Sequence, residues 1–146
     1  MEKYFCNYNQ SLALKKLGFD EPCFGYYDGW NGQTHLIVFD EENPRFLVRL
    51  LNLFKRKINQ TYNQDYVEYL TGICSAPLKS QVFEWFREYR LSVVIEDYLD
   101  DYEVKIVEWT LSDDRITHEF PNRFETYEEA ESACIDKLIE IVKDGR

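Results

Sequence analysis

The apolar residues change period twice between Leu78 and Val142, which restricts this part of the chain to folds that combine helices with an antiparallel sheet. Leu78, Val82, Trp85, Phe86 and Tyr89 recur at helical spacing. With Ser75 placed to cap and Pro77 tolerated in a first turn, a helix is expected from about Ala76 to Tyr89. From Leu91 to Tyr98, Glu103 to Thr110 and Arg115 to Phe120, branched and aromatic residues instead alternate or cluster between acidic turns, the second of them marked by Asp113-Asp114. That is the pattern of an antiparallel meander. The helical period then returns. Thr126-Tyr127-Glu128-Glu129 has the form of a capping box, and Ala130, Cys134, Leu138, Ile141 and Val142 follow along one side of a long C-terminal helix, with Gly145 just past its end.

The first half of the chain yields shorter elements. Asn7 or Asn9 is suited to cap a brief helix carrying Leu12, Leu14 and Leu17, and Gly18 is a natural stop. Pro22 to Tyr27 and Thr34 to Phe39 read as the strands of a hairpin whose loose turn is Asp28-Gly29-Trp30-Asn31-Gly32. Asn43 to Ile58 reads as a helix, capped by Asn43, with Pro44 in its first turn and Leu47, Leu50, Leu51, Phe54 and Ile58 at helical spacing. The stretch Tyr62 to Leu70 is compatible with either helix or strand. Together these elements describe an α+β fold, an antiparallel sheet of about five strands with helices packed on it and a long C-terminal helix. A chain of 146 residues without repeats or linkers is expected to form a single domain, residues 1–146, burying roughly 70% of its unfolded surface.

Composition narrows the function classes. The chain is 45% hydrophobic and 16% aromatic, ample for a core, and its net charge of -10 repels nucleic-acid phosphates and anionic membrane surfaces. Neither nucleic acid nor membrane is an expected partner. No window approaches the ~20 apolar residues of a membrane span, and Met1 to Gln10 has neither a basic start nor an apolar core, so a cytoplasmic location is expected. Cys6, Cys23, Cys74 and Cys134 are widely spaced and form no CxxC pair, as reduced, buried thiols usually are.

No catalytic set, metal site or cofactor motif stands out. His35 and His118 are not placed beside any cysteine by a local motif, and the acids Glu96, Asp97, Asp100, Asp101 and Glu103 lack the alternating ligands of a calcium loop. Gly25, Gly29 and Gly32 fall in a hairpin, not between a strand and a helix where phosphate is cradled. Two groups remain as candidate ligand-binding residues. Tyr26, Tyr27 and Trp30 offer aromatic faces on which a base can stack, and Arg45, Arg49 and Arg56 lie broadly along one side of the basic helix, where they can meet phosphate or carboxylate. Core packing and a solvated helix face account for the same residues.

Three segments carry a family resemblance: Glu2-Lys3-Tyr4-Phe5 through Leu17-Gly18-Phe19 with Glu21-Pro22-Cys23, Ala76-Pro77-Leu78-Lys79-Ser80-Gln81-Val82-Phe83-Glu84-Trp85-Phe86-Arg87-Glu88, and Thr126-Tyr127-Glu128-Glu129-Ala130-Glu131 with Cys134 to Lys143. The chain resembles a group of short proteins of unknown function encoded by bacteriophages, prophages and mobile elements of Bacteroides-like gut bacteria. The resemblance transfers no site residues. What it implies is a setting in which small acidic proteins bind and block a host or defence protein. The expectation is therefore a non-enzymatic binding protein with a host protein as partner. The alternative is a sponge or degrading enzyme for an anionic, nucleotide-type small ligand, and assembly into homo-oligomers is a third use for exposed aromatics.

Overall fold

The computed structural model describes residues 2–30, 33–38 and 74–145, which belong to two compact units, Met1–Leu78 and Lys79–Arg146. The helix read at Asn43 to Ile58 and the ambiguous stretch Tyr62 to Leu70 lie outside the described residues. Among the described residues no helix is long and apolar enough to cross a membrane.

In the first unit a 3-10 turn, Glu2–Tyr4, leads into α1, Tyr8–Leu17. Asn7 caps α1 reciprocally. Its side-chain oxygen accepts from the Gln10 amide at 2.9 Å, and the Gln10 side chain accepts from the Asn7 amide at 3.1 Å. Gly18 closes the helix at φ 95, in the left-handed region that glycine adopts at least cost. The hairpin follows as β1, Gly25–Trp30, and β2, Gln33–Val38, paired from Gly25 with Val38 to Trp30 with Gln33. Its strands run closer to the turn than the alternation suggests, leaving only Asn31-Gly32 between them. At the other end pairing starts at Gly25, so Pro22 to Phe24 are not strand.

Cys74–Ser75 forms β3, antiparallel to Tyr26 and Tyr27, so Ser75 is a strand residue and not a helix cap. Pro77 explains the difference. The residue before a proline is biased to extended backbone, and Ala76 continues the pairing by donating its amide to the Gly25 carbonyl at 2.9 Å. The resulting sheet has the order β2-β1-β3. Phe5, Tyr27, Cys74 and Ala76 form the core on it, with Tyr8, Leu36, Val38 and Leu78 packed around them.

The second unit starts with α2, Lys79–Arg87, whose Val82, Trp85 and Phe86 are buried as the apolar stripe requires. The meander follows as β4, Leu91–Tyr98, β5, Asp101–Trp109, and β6, Arg115–Glu119, in the order β4-β5-β6. The last element is α3, Tyr127–Asp144, whose first turn is capped by the Thr126 hydroxyl accepting from the Glu129 amide at 3.2 Å. The two helices pack on each other, α2 also on β4 and α3 on both β4 and β5. Val104, Ala130 and Cys134 form the centre of this layer, surrounded by Phe83, Val93, Ile95, Tyr102, Phe120 and Phe124. Ile135 and Ile139 are buried along α3 in addition to Ala130, Cys134, Leu138 and Val142, whereas Ile141 is only half-buried. The Lys79 ammonium, itself buried, ties the two helix starts together through the Glu128 carbonyl at 3.2 Å and the Glu131 carboxylate at 3.4 Å.

Among the described residues the strands thus make two three-stranded antiparallel sheets and not one sheet of about five. The hairpin acquires its third strand from Cys74–Ser75, so the outer edge of β1 is occupied before the meander is involved. The α+β class and the long C-terminal helix stand.

The hairpin's close approach sets a test. A Cβ at Gly25 would lie 2.8 Å from the Ile37 carbonyl oxygen and 3.5 Å from the Phe5 ring, all within the first unit. Gly25→Ala should lower unfolding free energy in urea by about 1–3 kcal/mol through overpacking. Gly18→Ala meets no atom within 4 Å and should lose about 1–2 kcal/mol through its backbone conformation alone. Equal, negligible losses at both positions would refute the register given for β1 and β2.

Candidate functional site

Of the aromatic residues singled out in the sequence, two are placed by the structure on different faces of one strand. Tyr26 and Tyr27 are successive in β1 and take opposite faces of its sheet. Tyr27 is 9% exposed, and its phenol donates to the Cys6 carbonyl at 2.6 Å while its ring meets Tyr8 edge-on at 5.7 Å. Burial, reinforced by the neighbouring Cys6 thiol, pushes its phenol up to about 12. Tyr27 is therefore a core residue, and Tyr26 is half-buried on the other face. Trp30 ends β1 opposite Gln33. Arg45, Arg49 and Arg56 lie outside the described residues.

The thiols are equally committed to the interior. All four cysteines are free and buried. Burial pushes Cys23 up to about 12 and Cys74 up to about 11. Burial and then the Glu131 carboxylate push Cys134 up to about 12. A nucleophilic cysteine needs the opposite shift and access to solvent. His118, on β6, instead meets Glu108 across the strands at 2.9 Å, and His35 is exposed on β2.

The acidic turn between β4 and β5 is the better-built feature. Register places Glu96 directly opposite Glu103, a like-charge pair that is unfavourable by itself. Lys105 relieves it. Its ammonium lies 3.0 Å from Glu103 and 3.3 Å from Glu96, and these two hydrogen bonds, Glu103 first, hold its pKa above the ordinary lysine value. Arg123 approaches from the segment before α3, 3.2 Å from Asp101 and 3.7 Å from Glu103, with its guanidinium 4.4 Å from the centre of the Tyr98 ring. Glu96, Tyr98, Asp101, Glu103 and Lys105 all belong to the sheet face opposite the helices. Among the described residues no group of three His, Cys, Asp or Glu side chains is arranged to hold a metal ion. These acids are organised around two cations of the protein itself.

At the tip, Tyr98 pairs with Asp101, leaving Leu99-Asp100 as a two-residue connection. The Asp100 amide donates back to the Tyr98 carbonyl, and Leu99 between them has φ 53. That is the sparsely populated left-handed conformation, which glycine adopts freely and leucine does not. Among the described residues two other non-glycine residues share it, for visible reasons. Asp113 is of a type enriched there, and Arg90 anchors its guanidinium on the Thr110 carbonyl at 2.8 Å. Leu99 has no polar side chain to anchor and is fully exposed, beside a Tyr98 that is 43% exposed. Tyr127, at the start of α3, is also exposed and packs edge-on against Tyr102 at 5.8 Å. This hairpin tip therefore presents apolar side chains within an acidic rim. The sequence carried one signal for it: a leucine in an acidic turn where a two-residue hairpin favours Gly, Asn or Asp.

Native thiols should accordingly react slowly. With Ellman's reagent at pH 8, all four cysteines should be titrated only as the protein unfolds; one thiol reacting within seconds in the folded protein would reopen nucleophilic chemistry. Because Cys23, Cys74 and Cys134 have raised folded-state values, their contribution to stability is present below about pH 9 and is lost as pH rises through about 11 to 12. The melting temperature should fall over that window.

Comparison with known proteins adds nothing to this geometry: no family model matches the chain, and no curated protein or solved structure matches it either.

Proposed function

We propose that the chain is a non-enzymatic binding protein, of phage or mobile-element origin, that blocks or modulates a host or defence protein by occupying a basic part of its surface. The observation that carries this reading is Leu99: an apolar side chain held fully exposed in a strained backbone, at the tip of an acidic hairpin. Backbone strain with no compensating internal contact is typical of residues retained for contact with something else.

Charge points to the kind of partner. Residues 79–146 contain 18 acidic and 9 basic residues, so this unit holds nearly all of the chain's net charge of -10. Around Leu99, Lys105 and Arg123 offset only part of the charge on Glu96, Asp97, Asp100, Asp101 and Glu103. A basic surface with an apolar recess complements both properties, the charge speeding encounter and the leucine supplying an anchor. The buried, protonated thiols favour binding over thiol catalysis as the protein's activity.

Leu99→Gly separates binding from folding. The substitution removes the strain and should leave stability unchanged or raised by about 1 kcal/mol. It should also weaken capture of a stoichiometric bacterial partner about tenfold, and raising salt from about 0.15 M to about 0.5 M should weaken the wild-type complex too. Capture that is indifferent to both the substitution and the salt would overturn the reading.

A further inference from the structure

β6 lies at one edge of the meander, and among the described residues its only strand partner is β5. Arg115, Ile116, Thr117 and Glu119 are exposed and His118 is half-buried. An edge strand presents unpaired backbone donors and acceptors, and proteins usually blunt such edges with proline, a bulge or charged side chains of one sign. The sequence Arg115-Ile116-Thr117-His118-Glu119 has no proline, its pairing with β5 is continuous, and its two charged residues, Arg115 and Glu119, are of opposite sign.

We propose that β6 is a self-association edge: two copies of the chain pair antiparallel through β6, with the two-fold axis at Thr117, joining their meanders into one six-stranded sheet. Reversing the strand about Thr117 brings Arg115 opposite the partner's Glu119 and Ile116 opposite the partner's His118. A strand whose charges match their own reversal fits an isologous interface, in which every contact occurs twice. β4, the opposite edge strand, does not have this property, since its only charged residues, Glu96 and Asp97, share one sign.

The register within each copy extends the match. Arg115 is paired with Trp109 and Glu119 with Lys105 on the face opposite the helices. Across the joined sheet one row then reads Lys105, Glu119, the partner's Arg115, the partner's Trp109, alternating charge and ending with a guanidinium beside an aromatic ring. The central row sets Thr117 against the partner's Thr117. On the helix-bearing face, Ile116, 44% exposed in the single chain, is flanked by the partner's His118. This pairing is independent of the hairpin tip at Leu99 and does not require the partner-protein reading.

Two single charge reversals provide the test, read by sedimentation velocity on the full chain over about 1–200 µM. Wild type should show a concentration-dependent monomer–dimer equilibrium. Arg115→Glu and Glu119→Arg should each weaken dimerisation about tenfold, because each sets like charges directly opposite twice. Mixed in equal amounts, the two variants should recover a dimer, since the acidic edge of one then faces the basic edge of the other. Thermal melts of each variant alone check that folding is retained. A wild type that stays monomeric throughout, a dimer indifferent to both reversals, or a mixture that fails to pair would each overturn the proposal. A monomer that instead binds an added strand-forming peptide would reassign the edge to a different occupant.

Discussion

Burial of Val104 and Ile106 fixes the second unit, because side chains alternate along a strand and a slip of one residue would expose both. β5 is the middle strand, paired on both sides, so its phase is transmitted to β4 and β6. Val93 and Ile95 then join the helix-facing layer. The same phase sets Glu96 against Glu103, delivers Lys105 to both and aligns Arg115 and Glu119 on one face of the edge. The placing of these charges is thus a consequence of which side chains β5 buries against the helices.

The hairpin tip illustrates how limited the internal compensation is. Exposed ion pairs in water contribute roughly 0–1 kcal/mol each, so Lys105 and Arg123 organise the acidic side chains more than they stabilise the fold. Leucine in the left-handed region costs about 1–2 kcal/mol, and the acids around it add repulsion. A glycine at this position would remove that cost, which makes Leu99 the place where local preference and the folded arrangement conflict most clearly. The tyrosines contribute differently. Tyr98 rests beneath the Arg123 guanidinium, whereas Tyr27 in the first unit donates its phenolic hydrogen bond inside the core.

The cysteines show the same division between composition and environment. Their wide spacing suggested reduced interior residues, and the structure buries all four. In the first unit burial dominates the upward shifts of both Tyr27 and Cys74 by disfavouring their charged forms; Cys6 and Cys74 add to the shift of Tyr27, and Lys15 opposes that of Cys74. In the second, Cys134 sits at the centre of the packing between α3 and the sheet. Small, polarisable side chains suit such close contacts.

The sequence by itself determined the elements whose period lies within a short window: α1 with its Gly18 stop, though not which of Asn7 and Asn9 caps it, the three meander strands, and the Thr126-capped final helix. These depend on neighbouring residues, so a local reading suffices. Partnership and exposure were decided only by tertiary structure. Cys74–Ser75 becomes a strand because Tyr26 and Tyr27, nearly fifty residues earlier, offer an edge, and no local pattern contains that pairing. Tyr27 and Tyr98 are the same residue type in strands, yet one is enclosed by Phe5, Cys74 and Ala76 while the other is 43% exposed. The acidic turn was visible as charge, but its leucine acquired meaning only when the register reduced the connection to two residues and forced φ to 53. Local sequence specifies period; which faces and edges remain open depends on residues distant in the chain.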